Sequence, residues 1–502
     1  MNLTRREFVK GGLASLGFLA LPGGLFAAPP GWKPKKKPNL VFGILTDTHL
    51  MVEWDGKSLY RSMTLDYIRN AFRLFRAHGI DAFVHLGDAS HRGCVREWEF
   101  HKEVFDEVFG ERGTGNRERG TGVPEKIIIV GNHELMGNEG HCKGVYRESD
   151  VWLENAICAD VARHYERVWG EPYAENFHKE VKGYHFFGRH WTDAEYKGTG
   201  EKPFSGYILS NADACSLKGT KPFFILSHRR HHFFFCQALK DFPNAVAFMG
   251  HWHQSNADWK SIYFDRDTFG GFFPHIQVGA CRYDGQDGMF PPDENNLPED
   301  SSSWKCDNMP SRQAMIVNVY DDMVVFERHE VGQGGKLGPD WVMPLGEFKP
   351  HPFSKAEQKK AIGAPEFPPK AKLDVKLLSL RGVSESRSPV ETPNLQNSKT
   401  PSNESNAGKV LRISIPMADG NPDSRVYAYN VVVVGDDIKA RYFKSAFFSG
   451  LNSGIGHEPN HGVTTVDIPQ SALPAGKKLT IAVRPVSSLG TKGKTIGTTW
   501  RT

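Results

Sequence analysis

Cysteine is scarce in this chain: seven in 502 residues, at positions 94, 142, 158, 215, 236, 281 and 306. The number is odd and no C-x-x-C spacing occurs, which argues against a zinc ribbon or a small disulfide scaffold. An exported chain could still close one or two bridges, and the spacing does not choose them. Long apolar runs are missing too. Beyond residue 28 none approaches the ~20 residues that a spanning helix needs, so no stable membrane span is expected once the N-terminal segment is removed. Excess charge of one sign is also absent. The formal net charge is +4, and Arg5, Arg6 and Lys10 against Glu7 account for +2 of it, leaving +2 for residues 29–502. Bulk charge therefore makes no case for nucleic acid as a partner. Nothing repeats along the chain, so a surface-adhesion array has no support.

What is present is concentrated in the first half. Five short clusters carry ligand-type side chains: Asp47-x-His49, Gly87-Asp88, Gly131-Asn132-His133-Glu134, Ser227-His228 and Gly250-His251-Trp252-His253. Each follows an apolar run: Val41 to Leu45, Ala82 to Leu86, Ile127 to Val130, Phe223 to Leu226 and Val246 to Met249. Such runs, bounded by Gly, Asp or Asn, read as buried strands. Ligand-type residues at the C-terminal ends of parallel strands converge on one sheet edge, where open α/β folds place their sites. One His-x-His or Gly-Asp alone would be a surface feature or a turn. Five in series are not. Carboxylate and imidazole together suit divalent transition metals, and Asp88 could bridge two of them because a carboxylate has two oxygens and carries charge.

The series D-x-H, G-D, G-N-H-[DE], a later H and G-H-x-H resembles the calcineurin-like metallophosphoesterase superfamily over roughly residues 38–345. The resemblance implies that Asp47, His49, Asp88 and His253 hold one metal and that Asp88, Asn132, His228 and His251 hold the other. The cofactors would be two divalent ions, Mn, Fe, Zn or a mixture. The implied activity is hydrolysis of a phosphate mono- or diester by in-line attack of a metal-bound hydroxide, with a phosphorylated molecule of unknown class as the partner. Neutral Asn132 limits the negative charge a phosphate would meet. His133, not needed as a ligand, would face substrate as a catalytic residue. Glu134 would orient a ligand or cap the segment that follows. Arg92 matches an Arg found just beyond the Gly-Asp motif and is a candidate phosphate contact, with a structural ion pair as the alternative. Purple acid phosphatases carry a Tyr after Gly-Asp; here the stretch is Ala89-Ser90-His91, so no tyrosinate-bound Fe(III) is expected. His85, His91, His231 and His232 are not assigned as ligands.

The N-terminus reads Thr4-Arg5-Arg6-Glu7-Phe8-Val9-Lys10, then a Gly-rich apolar stretch to Ala28. A basic segment, an apolar segment and small residues are the parts of an export signal, and the Arg pair resembles a twin-arginine signal. Residues 1–28 are expected to be a signal peptide and the protein to be periplasmic or secreted.

The fold class expected is a two-sheet α/β (α+β) sandwich flanked by helices over 38–345. A Pro- and Lys-rich linker follows over 346–370, then an immunoglobulin- or fibronectin-like all-β sandwich over 371–502. Helical spacing marks Ser58–His78, Trp98–Phe109 and Asp150–Val168; Lys182–Arg189 resembles a strand. Gly110–Gly122 and Asp284–Met309 read as loops, the second a candidate wall of the substrate pocket. Ala314–Tyr320 and Met323–His329 read as a hairpin turning at Asp321-Asp322. The alternative function is an exported binding protein whose C-terminal sandwich grips a glycan or protein while the metal half is inactive. A complete set of ligand-type residues argues against that decay.

Overall fold

The structure is a computed structural model. It describes residue 34 and residues 36–502 except 51, 55–58, 62–63, 111–121, 137–155, 193–200, 232, 254–255, 257–260, 264–271, 283–303, 307–311, 333–334, 338–339, 346–355, 358–363, 380–408, 419–425, 427, 436–437, 446–462, 474 and 488–490. The signal segment, most of the linker and nearly all of the Gly110–Gly122 loop lie outside the described residues. No helix among the described residues is long and apolar enough to cross a membrane.

Two mixed sheets face each other in the N-terminal region. The first holds β1 (Leu40–Leu45), β4 (Ala82–His85), β5 (Glu125–Ile128), β13 (Gln313–Val319), β14 (Met323–Glu330) and β15 (Trp341–Pro344), in the order β15-β14-β13-β1-β4-β5. β1, β4 and β5 run parallel, while β13 returns antiparallel beside β1. The second holds β6 (Asn176–Val181), β7 (Tyr184–Arg189), β8 (Phe223–Ser227), β9 (Ala245–Met249), β10 (Ile262–Tyr263) and β11 (His275–Gln277), in the order β10-β11-β9-β8-β7-β6. β7, β8 and β9 are parallel. A hairpin of β2 (Val52–Trp54) and β3 (Leu59–Arg61) stands apart from both.

The apolar runs make these strands because both faces of each are covered, which is the condition for parallel strands. β1, β4, β8 and β9 are buried at every position. Between the sheets, Phe42 meets the rings of Phe186, Phe224 and Phe248 edge-on, at 5.2, 4.9 and 5.8 Å. Outside the first sheet lie the helices Thr64–His78, Val95–Phe109 and Val161–Trp169, whose Phe72, Phe75, Phe105 and Trp169 join one core with Phe83 of β4. Outside the second lie Glu201–Asn211 and Phe233–Ala238, through Phe204, Ile208 and Phe235.

The helix expected from Ser58 begins at Thr64, because Leu59–Arg61 is spent in the β3 hairpin. The one expected from Trp98 begins a turn earlier, at Val95. That from Asp150 is described from Val161, where Asp160 accepts the Arg163 N–H as an N-cap, preceded by a 3₁₀ turn at Ile157–Ala159.

Among its described residues the C-terminal region is built of strands, apart from a 3₁₀ turn at Gln470–Ala472. β16 (Asp374–Ser379), β17 (Lys409–Pro416) and β20 (Val463–Pro469) form one antiparallel sheet. β18 (Ala428–Gly435), β19 (Ile438–Ser445), β21 (Lys478–Val486) and β22 (Ile496–Arg501) form another. The two share a core of Leu411, Ile413, Tyr429, Val431, Val466 and Ile481, among others. The segment expected to be a loop over Asp284–Met309 is described only at 304–306. There it is a short strand, β12 (Trp304–Cys306), parallel to β19 of the C-terminal region.

Candidate metal centre

The five motifs occupy the C-terminal ends of β1, β4, β5, β8 and β9, and the strand ends bring them to one place. Asp47 N–H donates to the Gly87 carbonyl at 3.0 Å, and His49 N–H donates to the Asp88 carbonyl at 2.9 Å. Glycine is required where motifs cross. Gly87 has φ +102°, and a Cβ on Gly131 would overlap the Asp88 carboxylate. Among the described non-glycine residues, positive φ occurs at Asp47, His49, Asp88, Lys182, Ser216, His251 and His253. Five of these seven belong to the motifs. Left-handed backbone at non-glycine residues is costly and persists only where surrounding structure enforces it, commonly at functional sites.

The side chains fall into two adjoining groups. In one, the ligand-type atoms of Asp47, His49 and His253 lie within 4.8 Å of one another; in the other, so do those of Asp88, His228 and His251. Asp47 Oδ1 is 3.1 Å from His253 Nε2 and 3.8 Å from His49 Nε2. Asp88 Oδ2 is 3.1 Å from His228 Nε2 and 3.8 Å from His49 Nε2, so this carboxylate touches both groups. Asn132 Oδ1 stands 3.0 Å from both His228 Nε2 and His251 Nδ1. His228 Nδ1 lies 2.8 Å from the Leu86 carbonyl. That bond places a proton on Nδ1 and leaves Nε2 to face the cluster.

Electrostatics put most of these donors in the form that binds a cation. Burial lowers the His49 pKa well below its usual value, helped by His253 and His133. Burial likewise lowers His251 to about 4, with His228 adding to it. Burial pushes the Asp47 carboxyl up, but His253 and His228 outweigh it and hold it well below the usual carboxylate range. At Asp88 burial again raises and His228 more than reverses it. His228 shows what the cluster demands. Burial lowers its pKa, yet Asp88 and Asp47 drive it up to about 9. Two buried carboxylates thus draw positive charge onto His228. Carboxylate, amide and imidazole donors converging in a buried field that favours a cation fit divalent metal ions.

The remaining expected residues stand around this cluster. His133 N–H donates to Asp88 Oδ1 at 2.8 Å, and its ring Nδ1 lies 2.9 Å from the His91 carbonyl. Glu134 is fully buried and accepts N–H groups from Asp88, Ser90 and Gly131 and from the Trp98 indole, at 3.0, 2.8, 2.7 and 3.3 Å. Burial and then Asp88 raise its pKa to about 7, against the pull of those donors. It fixes the backbone under Asp88. Arg92 gives its backbone N–H to Glu97 at 3.0 Å, and its charge reaches His91. Of the unassigned histidines, His91 lies against the site: its ring stacks on His133 at 5.5 Å, and its Nδ1 is 3.5 Å from His49 Nδ1. His85 bonds Thr48 Oγ1 at 3.2 Å, and His231 bonds Ser227 Oγ at 3.0 Å. His232 lies outside the described residues.

Two residues at the site escaped sequence reasoning. Arg282 Nη1 donates to the His49 carbonyl at 2.8 Å. Trp191 packs its ring 5.3 Å from His251 and 5.8 Å from His228. Neither follows a motif, and no local signal marks them.

Residues 40–255 match the family model for calcineurin-like phosphoesterases. No curated protein matches the chain. Among solved structures, a dimetal phosphatase from Danio rerio is similar at 12% identity, covering 62% of this chain and 100% of that one, with a TM-score of 0.35. A purple acid phosphatase from yellow lupin (Lupinus luteus) seeds is similar at 13% identity, covering 61% and 55%, with a TM-score of 0.38.

Proposed function

Because residues 40–255 form a calcineurin-like phosphoesterase domain with a buried Asp/His cluster that fits a dimetal site, we propose that the chain is an exported hydrolase of phosphate mono- or diesters. Asp47, His49, Asp88 and His253 would hold one divalent cation, and Asp88, Asn132, His228 and His251 the other. The observation that carries this reading is Asp88 Oδ2, within 3.8 Å of His49 in one group and 3.1 Å of His228 in the other. When bound, the pair of cations would supply Lewis acidity toward phosphoryl oxygens and acidify water. Mn, Fe, Zn or a mixture all suit the donors.

The chain's own residues supply the rest. Asn132 contributes a neutral oxygen, which limits repulsion of an anionic substrate. Glu134 and the Leu86 carbonyl keep Asp88 and His228 in register. His133 is the proton donor to the departing oxygen. Its Nδ1–H bond to the His91 carbonyl leaves Nε2 as the ring nitrogen that would carry the proton to that oxygen. Arg92 is a weaker candidate for contact with phosphate.

Metal analysis and a substrate panel on one preparation test this reading. Fully metallated protein that cleaves no mono- or diester would sink it. His133→Ala should cost about 10²–10⁴-fold on alkyl esters, much less on p-nitrophenyl esters whose leaving group needs no acid, with metal content unchanged. Equal losses on both would instead indicate charge stabilisation of the phosphoryl oxygens.

Export is proposed from the Arg5-Arg6 signal, and an immunoglobulin- or fibronectin-like fold for the C-terminal strands from their spacing. Replacing Arg5 and Arg6 with Lys should leave precursor in the cytoplasm; unchanged export would exclude the twin-arginine route.

A further inference from the structure

A second group of metal-ligating side chains lies away from the motif edge, on the outer face of the second sheet. It is built by a hairpin. β6 and β7 are joined by Lys182-Gly183, both at positive φ, which is the geometry of a tight two-residue turn. The register places Glu180 directly opposite His185, and His178 opposite Phe187. Alternation along each strand then puts His178, Glu180, His185 and Phe187 on one face. The helix Glu201–Asn211 covers that face, and the turn after it delivers Cys215, whose N–H bonds the Asn211 carbonyl at 2.9 Å.

We propose that His178, His185 and Cys215 form a separate cation site suited to Zn²⁺, with the fourth position open to solvent. His178 Nε2 and His185 Nδ1 are 3.0 Å apart, and Cys215 Sγ is 3.8 Å from His178 Nε2. The ligand-type atoms of all three lie within 4.8 Å of one another. Two imidazoles and one thiol are zinc-type donors, and thiolate selects against Mg²⁺ and Ca²⁺. The strand register sets Glu180 opposite His185, so its acidic side chain is on the same face as the two histidines. All three residues are half-buried, so an ion can enter.

The site is distinct from the motif edge. It shares no residue with it, and His185 lies four positions before Arg189, which pairs with Ser227 beside His228. That is roughly 13 Å along the strand. A similar group, His78, Glu327 and His329, already has its cation: Lys336 Nζ sits 2.9 Å from Glu327. A bound ion at Cys215 would tie the edge hairpin of the sheet to the end of the 201–211 helix.

The thiol makes the site separately visible. The motif cluster contains no cysteine, so a cobalt–thiolate charge-transfer band in the near ultraviolet reports only a cysteine-containing site. Titrating the full chain with Co²⁺ should raise that band, and Zn²⁺ should abolish it by displacement. Cys215→Ser should lose the band and one cobalt equivalent while phosphoesterase activity is unchanged. No band in the unaltered protein, a band retained in Cys215→Ser, or a band that excess Zn²⁺ leaves intact would overturn the proposal. Should Cys215→Ser not fold, His185→Gln must lose the same equivalent, and unchanged cobalt stoichiometry in it would be equally fatal.

Discussion

The N-terminal and C-terminal regions are both stacks of strands, yet their strand ends behave differently. In the N-terminal region β1, β4, β5, β8 and β9 deliver the chain into buried Asp, Asn and His, with left-handed backbone at four of those residues and at the half-buried His251. In the C-terminal region, no non-glycine residue among those described has positive φ. Its strands follow alternation instead: β17 and β21 switch between buried and more exposed positions, and the Arg412–Asp467 pair lies on the outer side at 2.6 Å. Among the described residues, one region keeps to these local rules, and the other departs from them mainly at one edge, with Lys182 and Ser216 the two exceptions outside it. Violations gathered in one place, among groups that ligate metals, are what a functional site leaves on a fold.

The hardest test of that contrast is Asp88→Asn. Asn tolerates left-handed backbone at least as well as Asp, so the φ of +54° at this position should be kept. The change removes charge and leaves one oxygen where two had faced His133 N–H and His228. Activity should fall roughly 10⁴-fold or more, with both metals bound more weakly. Elemental analysis showing two metals retained in active protein would mean that Asp88 is not shared. Folding stability that collapsed with the activity would mean that the edge is structural.

How much of this was legible beforehand follows from the same contrast. The five strand-end motifs were readable because each couples an apolar run to polar residues that no buried turn would keep. Trp191 and Arg282 were not readable: they reach the cluster from segments without a motif, and only the fold makes them neighbours. Glu201–Asn211 contains Pro203 and Gly206, which argue against a helix locally; burial of Phe204 and Ile208 overrides them. β6 and β22 are edge strands with mostly half-exposed residues, so their apolar signal is faint. β12 carries no strand signal in the sequence, because three residues have no period to detect.

A second test removes the orderly region. A chain ending after residue 370 leaves every member of the motif cluster in place but takes away β19, the partner of β12. Metal content should be unchanged, and turnover of a small soluble ester should stay within about threefold. Lower thermal stability is expected, because the β12 strand loses its ladder. A folded, fully metallated truncation with no activity would show that the C-terminal strands complete the site, and the two regions would then be one functional unit.

The smallest effect asks whether costly polar burial in the N-terminal region is confined to the motif edge. His101, in the helix Val95–Phe109, is fully buried, and neither ring nitrogen hydrogen-bonds another residue. Its ring lies among Phe72, Phe83, Trp169 and His85, at 5.5, 6.2, 5.7 and 5.0 Å. An aromatic hydrocarbon fits such surroundings better, since an unsatisfied buried polar group costs about 1–3 kcal/mol. His101→Phe should therefore stabilise the protein, by about 1 kcal/mol after allowing for the larger ring. The effect depends on pH with a definite sign. Burial lowers His101 from 6.5 to about 3, so between those values the unfolded chain binds a proton that the folded protein refuses. Wild-type stability from this residue is thus fully present above about pH 6.5 and is lost as pH falls toward 3. The Phe variant lacks that loss. Urea unfolding at pH 7.5 and pH 5 should show it ahead at both, with the wider margin at pH 5. A variant less stable than wild type at both would mean that His101 is satisfied in a way its surroundings do not suggest.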